Sequence, residues 1–84
     1  MYNVTVKESA EKTLHHFPAQ DTERIVSAIT VLQSNPRPIQ SAKLAGHPNA
    51  YRLRKGDYRV LYTIDDRAKL VTVYRVAHRR EAYR

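Results

Sequence analysis

The sequence predicts an α+β domain in which a helical hairpin covers one face of a mostly antiparallel sheet, in the order β-α-α-β-β-β. Three observations lead there. Apolar residues alternate at the N-terminus, switch to helical spacing, then return to alternation through the C-terminal part. Gly56-Asp57 and Asp65-Asp66-Arg67-Ala68 carry turn chemistry between the last runs, with links too short for anything but antiparallel pairing. The chain has 84 residues, which suits one domain (1–84) and leaves no room for a second.

Tyr2, Val4 and Val6 alternate with Asn3, Thr5 and Lys7, so the first element is a strand with one buried face. Ala10, Leu14 and Phe17 then fall at helical spacing, with Glu8 or Ser9 placed to cap the helix or favour its positive end. Pro18 stops or offsets that helix. A second helix is expected from about Asp21, an acceptable N-cap, with Ile25, Ala28, Ile29 and Leu32 as its apolar stripe. Asn35-Pro36-Arg37-Pro38 ends it. Residues 39–50 read as a connecting loop, with room for a turn of helix around Gln40–Leu44. Three strands follow, at Tyr51–Lys55, Tyr58–Asp65 and Leu70–Ala77. The last is apolar on both faces through Val71, Val73 and Val76, as a central strand should be. Tyr74 and Arg75 fall on opposite faces of it, and the sequence does not say which of them meets solvent.

A chain this short buries only about 60–65% of its unfolded surface, so its core is small. It has no cysteine, which leaves neither a disulfide framework nor a thiolate metal site. His15, His16 and His47 lack a partner at metal-ligand spacing, and no structural metal is expected. The N-terminus offers no signal peptide and no segment is apolar enough to span a membrane, so an intracellular, cytoplasmic protein is expected. The net charge is +7, unevenly spread. Residues 1–51 carry five Lys/Arg against four Asp/Glu; residues 52–84 carry ten against four, hence +1 and +6. Such asymmetry points to a polyanionic partner, a nucleic acid or an acidic protein.

The excess begins in the stretch Tyr51-Arg52-Leu53-Arg54-Lys55-Gly56-Asp57-Tyr58-Arg59. Arg52 and Arg54 alternate with Tyr51 and Leu53 and so share one strand face. Gly56 takes positive φ without steric cost, and the reversal there returns Arg59 towards them. Guanidinium groups gathered in this way repel one another unless an anion sits among them. The chain closes on a second basic cluster, His78-Arg79-Arg80 followed by Tyr83.

The run Leu53-Arg54-Lys55-Gly56-Asp57-Tyr58-Arg59-Val60-Leu61-Tyr62, followed by Val76-Ala77-His78-Arg79-Arg80-Glu81-Ala82-Tyr83, resembles the RelE branch of the RelE/ParE toxin superfamily. Element order and length resemble that family too, over nearly the whole chain. The resemblance implies the toxin of a type II toxin–antitoxin system, a ribosome-dependent endoribonuclease that cuts mRNA in the A site. It implies an acidic, RelB-like antitoxin as partner in a hetero-oligomer. The family's chemistry needs no cofactor: the 2′-hydroxyl attacks the adjacent phosphate, leaving a 2′,3′-cyclic phosphate and a 5′-hydroxyl. That reaction needs a base, an acid, and cations around the crowded phosphorus.

On this resemblance Arg59 and Arg79 match positions that stabilise the phosphate and serve acid chemistry. Arg52 and Arg54 stand where well-known members carry lysines, one of them proposed as the general base. Arginine stays charged far above neutral pH and is a poor base, so the electrostatic role carries over and the base role does not. Histidine is the commonest general acid/base, and His78 is expected to take over proton transfer. Tyr83 matches a tyrosine that stacks on or orients the scissile nucleotide. Lys55 and Arg80 are expected on flanking RNA phosphates. Tyr58 and Tyr62 share a face with Val60 and belong with the core. Two other functions stay open: ParE-like poisoning of DNA gyrase on the same fold, and binding of RNA or the ribosome without cleavage through the same basic face.

Overall fold

Alternation of Val4 and Val6 with Asn3 and Thr5 forms the first strand, β1 (Asn3–Val6), in the computed structural model, which describes residues 1–80. Helix α1 (Glu8–Leu14) follows directly, with Lys7 as its N-cap. Glu8 and Ser9 therefore lie inside the helix rather than capping it. Glu8 and Glu11 still place negative charge on the first turn, where the helix dipole favours it. The chain leaves α1 through tight bonds from His15, His16 and Phe17 N–H to the carbonyls three residues back, at 3.2, 3.0 and 3.3 Å.

Helix α2 (Ala19–Val31) begins two residues earlier than Asp21, with Pro18 rather than Asp21 at the N-cap. A helix start has N–H groups without intrahelical partners, so a residue lacking one is harmless there. Asp21 sits in the first turn instead, and its carboxylate accepts the Tyr58 hydroxyl at 2.9 Å. The Thr22 hydroxyl donates back to the Leu14 carbonyl at 2.7 Å, closing the helical hairpin.

Four strands complete the sheet: β2 (Ser41–Lys43), β3 (Ala50–Lys55), β4 (Tyr58–Asp65) and β5 (Leu70–His78). Their order is β1-β5-β4-β3-β2, with β1 parallel to β5 and the other pairs antiparallel. The strand β2 replaces the helical turn expected around Gln40–Leu44. Ser41, Ala42 and Lys43 pair with Leu53, Arg52 and Tyr51, and so satisfy the outer edge of β3. Three residues carry too little alternation to announce a strand; the waiting edge makes it one.

Both helices lie on one face. Ala10, Leu14, Ile25, Ile29 and Leu32 pack there against Leu53, Val60, Tyr62, Ile64, Val71, Val73 and Val76. Tyr58 is partly buried against this core and Tyr62 wholly so, its hydroxyl donating to the Pro36 carbonyl at 2.7 Å. At the end of the sheet away from the β3–β4 turn, Arg37 grips Asp66 with two bonds of 3.2 and 2.7 Å. The same guanidinium donates to the Tyr51 hydroxyl at 3.1 Å, and Tyr2 donates to Asp66 at 2.5 Å. Among the described residues no helix is long and apolar enough to cross a membrane.

Candidate functional site

Residues paired across an antiparallel ladder point to the same side of the sheet. Arg54 pairs with Arg59, and Arg52 pairs with Leu61. Arg52, Arg54 and Arg59 therefore share the face away from the helices, as the alternation of the sequence requires. Continuing onto β5, Arg59 pairs with Ala77 and Leu61 with Arg75. Two neighbouring rungs result: Arg54–Arg59–Ala77 and Arg52–Leu61–Arg75. Leu61 and Ala77 are buried yet stand outside the helix-side core, as a small apolar floor. Arg52, Arg59 and Arg75, each half-buried, stand beside that floor on the same two rungs.

Arg75 was open in the sequence because its side depends on a β-bulge. One step on β4, Leu61 to Tyr62, corresponds to two on β5, Arg75 to Val73, so Tyr74 is the extra residue. Val73 and Val76 both reach the core although three positions separate them. That odd spacing is the one sequence signal that could have placed Arg75 on the open face.

The β3–β4 turn sets the register of the cluster. Lys55 pairs with Tyr58, leaving Gly56 and Asp57 as a two-residue loop. Gly56 has φ +58°, the left-handed conformation such a turn demands at its first position. Arg59 folds back on this turn, its Nη1 donating to the carbonyls of Tyr58 at 3.0 Å and Gly56 at 3.3 Å. Its Nε is buried with no hydrogen-bond partner among the described residues. Arg79 is hung from the same turn: its backbone N–H donates to the Asp57 carbonyl at 2.7 Å, and its Nε lies 3.8 Å from Asp57 Oδ1.

Lys55 and His78 stand on the other side. They pair with Tyr58 from either flank, and Tyr58 alternates with Arg59, so this rung faces the helices. The His78 ring meets Tyr58 edge-on at 5.6 Å, and Tyr58 in turn meets Phe17 at 4.6 Å. The Arg80 backbone N–H approaches His78 Nδ1 at 3.4 Å. Asp21, Arg24, Ile25, Lys55, Asp57 and His78 line a cleft of about 450 Å³ here. The hydrogen bond to Asp21 and then burial push the Tyr58 hydroxyl pKa up. Asp57 belongs to both sides, lining the cleft while holding Arg79. Arg80 is exposed just beyond, and Tyr83 lies outside the described residues.

A small basic sheet with helices on one face and an arginine cluster on the other is suited to meeting a polyanion. The chain matches, over residues 4–83, the family described as the ParE toxin of type II toxin–antitoxin systems, and it belongs to that family. Within the RelE/ParE superfamily its likenesses place it on the RelE branch. Toxin RelG of Mycobacterium tuberculosis is 34% identical over 88 residues, covering 99% of this chain and 97% of the relative. Putative toxin RelE1 of Methanocaldococcus jannaschii is 28% identical, covering 99% and 96%. The toxin chain in the crystal structure of the archaeal RelE–RelB complex from Pyrococcus horikoshii superposes with a TM-score of 0.85 at 28% identity, over 96% of this chain and 98% of that one. The RelBE2 toxin–antitoxin complex of M. tuberculosis gives 0.81 at 29%, over 92% and 96%.

Proposed function

We propose that this toxin is a ribosome-dependent endoribonuclease, cutting mRNA in the A site by attack of the RNA 2′-hydroxyl on the neighbouring phosphate. The observation that carries the reading is the arginine cluster, four guanidinium groups on two adjacent rungs with Arg79 suspended beside them. A crowd of like charges on an open face is unfavourable by itself and becomes favourable around a phosphate in transition. Arg59 brings a buried Nε in need of an acceptor, which a phosphate oxygen supplies. Arg52 and Arg54 contribute charge, and Arg79 binds the scissile phosphate or its leaving oxygen. Lys55 and Arg80 hold flanking phosphates.

His78 serves in proton transfer under one geometric condition. It faces the helix side, so RNA on the arginine face must turn over the β3–β4 loop to meet it. Asp57 and Arg79 mark that crossing. Tyr83 stacks on the nucleotide at the site, as in the family it resembles. The partners in this reading are the ribosome and its mRNA. An acidic antitoxin, in the manner of the RelE–RelB complexes, holds the toxin in a cytoplasmic hetero-oligomer.

The test is cleavage of mRNA on programmed ribosomes, with 5′ ends mapped by primer extension. Wild type cuts within the A-site codon, Arg59→Ala and Arg79→Ala do not, and His78→Ala cuts slowly. An unchanged rate in His78→Ala removes it from proton transfer. A second reading, poisoning of DNA gyrase, is favoured by the ParE name of the matched family. Induction of the SOS response with intact mRNA would select it.

A further inference from the structure

We infer that the helix-side cleft beside the β3–β4 turn is a nucleobase pocket. It takes a base bearing an exocyclic amino group, from a nucleoside flanking the scissile phosphate. The inference rests on the proposed cleavage of RNA at the arginine face. The cleft differs in kind from that face. Among the described residues lining it, two carboxylates, Asp21 and Asp57, stand against two side-chain cations, Arg24 and Lys55, so their formal charges cancel. A phosphate or an acidic peptide entering there would meet both carboxylates. A nucleobase is uncharged and flat, with donors and acceptors along its edge, and suits a lining of mixed sign. The volume of about 450 Å³ lies within the range of small-ligand sites.

Asp21 is the reading group. It lies in the first turn of α2, where the Tyr58 hydroxyl donates to its Oδ2 at 2.9 Å. That bond anchors the carboxylate from a second element, across 37 residues of sequence. A carboxylate has about four lone-pair sites, so one hydroxyl leaves it acceptor capacity for a ligand. It accepts from the amino group of adenine, cytosine or guanine, which uracil lacks. Tyr58 is held in turn by Phe17, at 4.6 Å between ring centroids, and His78 meets it edge-on at 5.6 Å. The half-buried His78 ring offers a stacking surface at the wall of the cleft. One residue joins this cleft to the arginine face. Asp57 lines the cleft and also holds Arg79, through its carbonyl at 2.7 Å and its carboxylate at 3.8 Å. A phosphate bound at Arg79 therefore stands at the mouth of the cleft, and single-stranded RNA is read with its bases splayed from the backbone in this manner.

The experiment is cleavage on ribosomes programmed with mRNAs that differ only in the two bases flanking the cut. At one of those positions wild type should favour amino-bearing bases over uridine by about tenfold in kcat/KM, the worth of one hydrogen bond to a charged group. Asp21→Asn keeps an oxygen for the Tyr58 hydroxyl but turns an NH₂ group to the ligand, which suits the uracil carbonyl instead. Its preference should therefore fall to parity or reverse. Glu23→Gln, exposed two residues along α2, should keep the wild-type ratio. Circular dichroism and urea unfolding check the fold, and Asp21→Ala serves as the second variant if Asp21→Asn unfolds. No preference in wild type, or an unchanged ratio in the folded variant, overturns the inference while cleavage by wild type upholds the nuclease reading. If wild type cuts no mRNA, that reading falls, and titration of the free protein with CMP and UMP, followed by NMR amide shifts, decides the cleft. Tighter binding of CMP with shifts at Asp21, Arg24 and His78 supports the pocket; equal binding, or none there, overturns it.

Discussion

Asp57 and Arg79 are joined twice, by a backbone hydrogen bond of 2.7 Å and by a side-chain approach of 3.8 Å between Oδ1 and Nε. The first fixes where the end of β5 lies against the hairpin turn. The second orients a guanidinium that is otherwise exposed. Since both groups face water, the ion pair contributes little to stability, and its value is in aim.

Asp57→Ala is expected to change unfolding free energy by no more than about 0.5 kcal/mol while cutting mRNA cleavage severalfold. Arg79→Ala should lose far more activity at the same stability. Urea unfolding and cleavage rates on one set of variants measure both. Wild-type cleavage by Asp57→Ala would remove the carboxylate from the positioning of Arg79.

Arg59→Ala should separate function from stability. Removing a group that stabilises developing phosphate charge costs about 10²–10³ in kcat. The same change removes a buried Nε without acceptor among the described residues and eases repulsion from Arg54, so the unfolding midpoint should hold or rise. A fall in both would make Arg59 a structural residue.

Gly56→Ala tests the turn. A Cβ at Gly56 meets no atom within 4 Å, so space is not the obstacle. The φ of +58° is, and an alanine held there costs about 1–2 kcal/mol. Gly56→Asn should cost less, since asparagine visits this region. Denaturant midpoints that fall equally for both would point away from backbone strain.

The Arg37–Asp66–Tyr2 cluster gives the fold an acid sensitivity. The Arg37 guanidinium first, and the Tyr2 hydroxyl second, hold the Asp66 carboxyl well below its usual 3.8, at about 2. A depressed acid contributes fully above its unfolded value, so this stabilisation is present above about pH 4 and fades as pH falls towards 2. Asp66→Asn lacks it already at neutral pH. Its urea midpoint should therefore sit below that of wild type at neutral pH, with the gap narrowing near pH 2. A constant gap would assign the effect to packing.

Much of this molecule could be read from spacing. The alternation in Leu53-Arg54-Lys55 and Tyr58-Arg59-Val60 separated core from arginines, because a strand has only two sides and the apolar residues choose one. Turn residues at Gly56-Asp57 located the hairpin for an equally local reason. Expectation and structure part where a local signal is weak or is outvoted by tertiary contacts. Asp21 looks like an N-cap, yet Pro18 opens the helix and leaves Asp21 to meet Tyr58 from another element. Ser41–Lys43 has no pattern of its own and becomes a strand by pairing with β3.

The sequence by itself determined the fold class, the basic face and the arginines of the hairpin, since each follows from the period of apolar residues along a short segment. Tertiary structure decided what crosses between segments. The ladder register placed Lys55 and His78 with Tyr58 on the helix side, and the bulge at Tyr74 sent Arg75 to the open face. Contact with Asp57 fixed where Arg79 leaves the sheet. These are hydrogen bonds between residues distant in the chain, and the position of one extra residue in a strand reverses the side of all that follow.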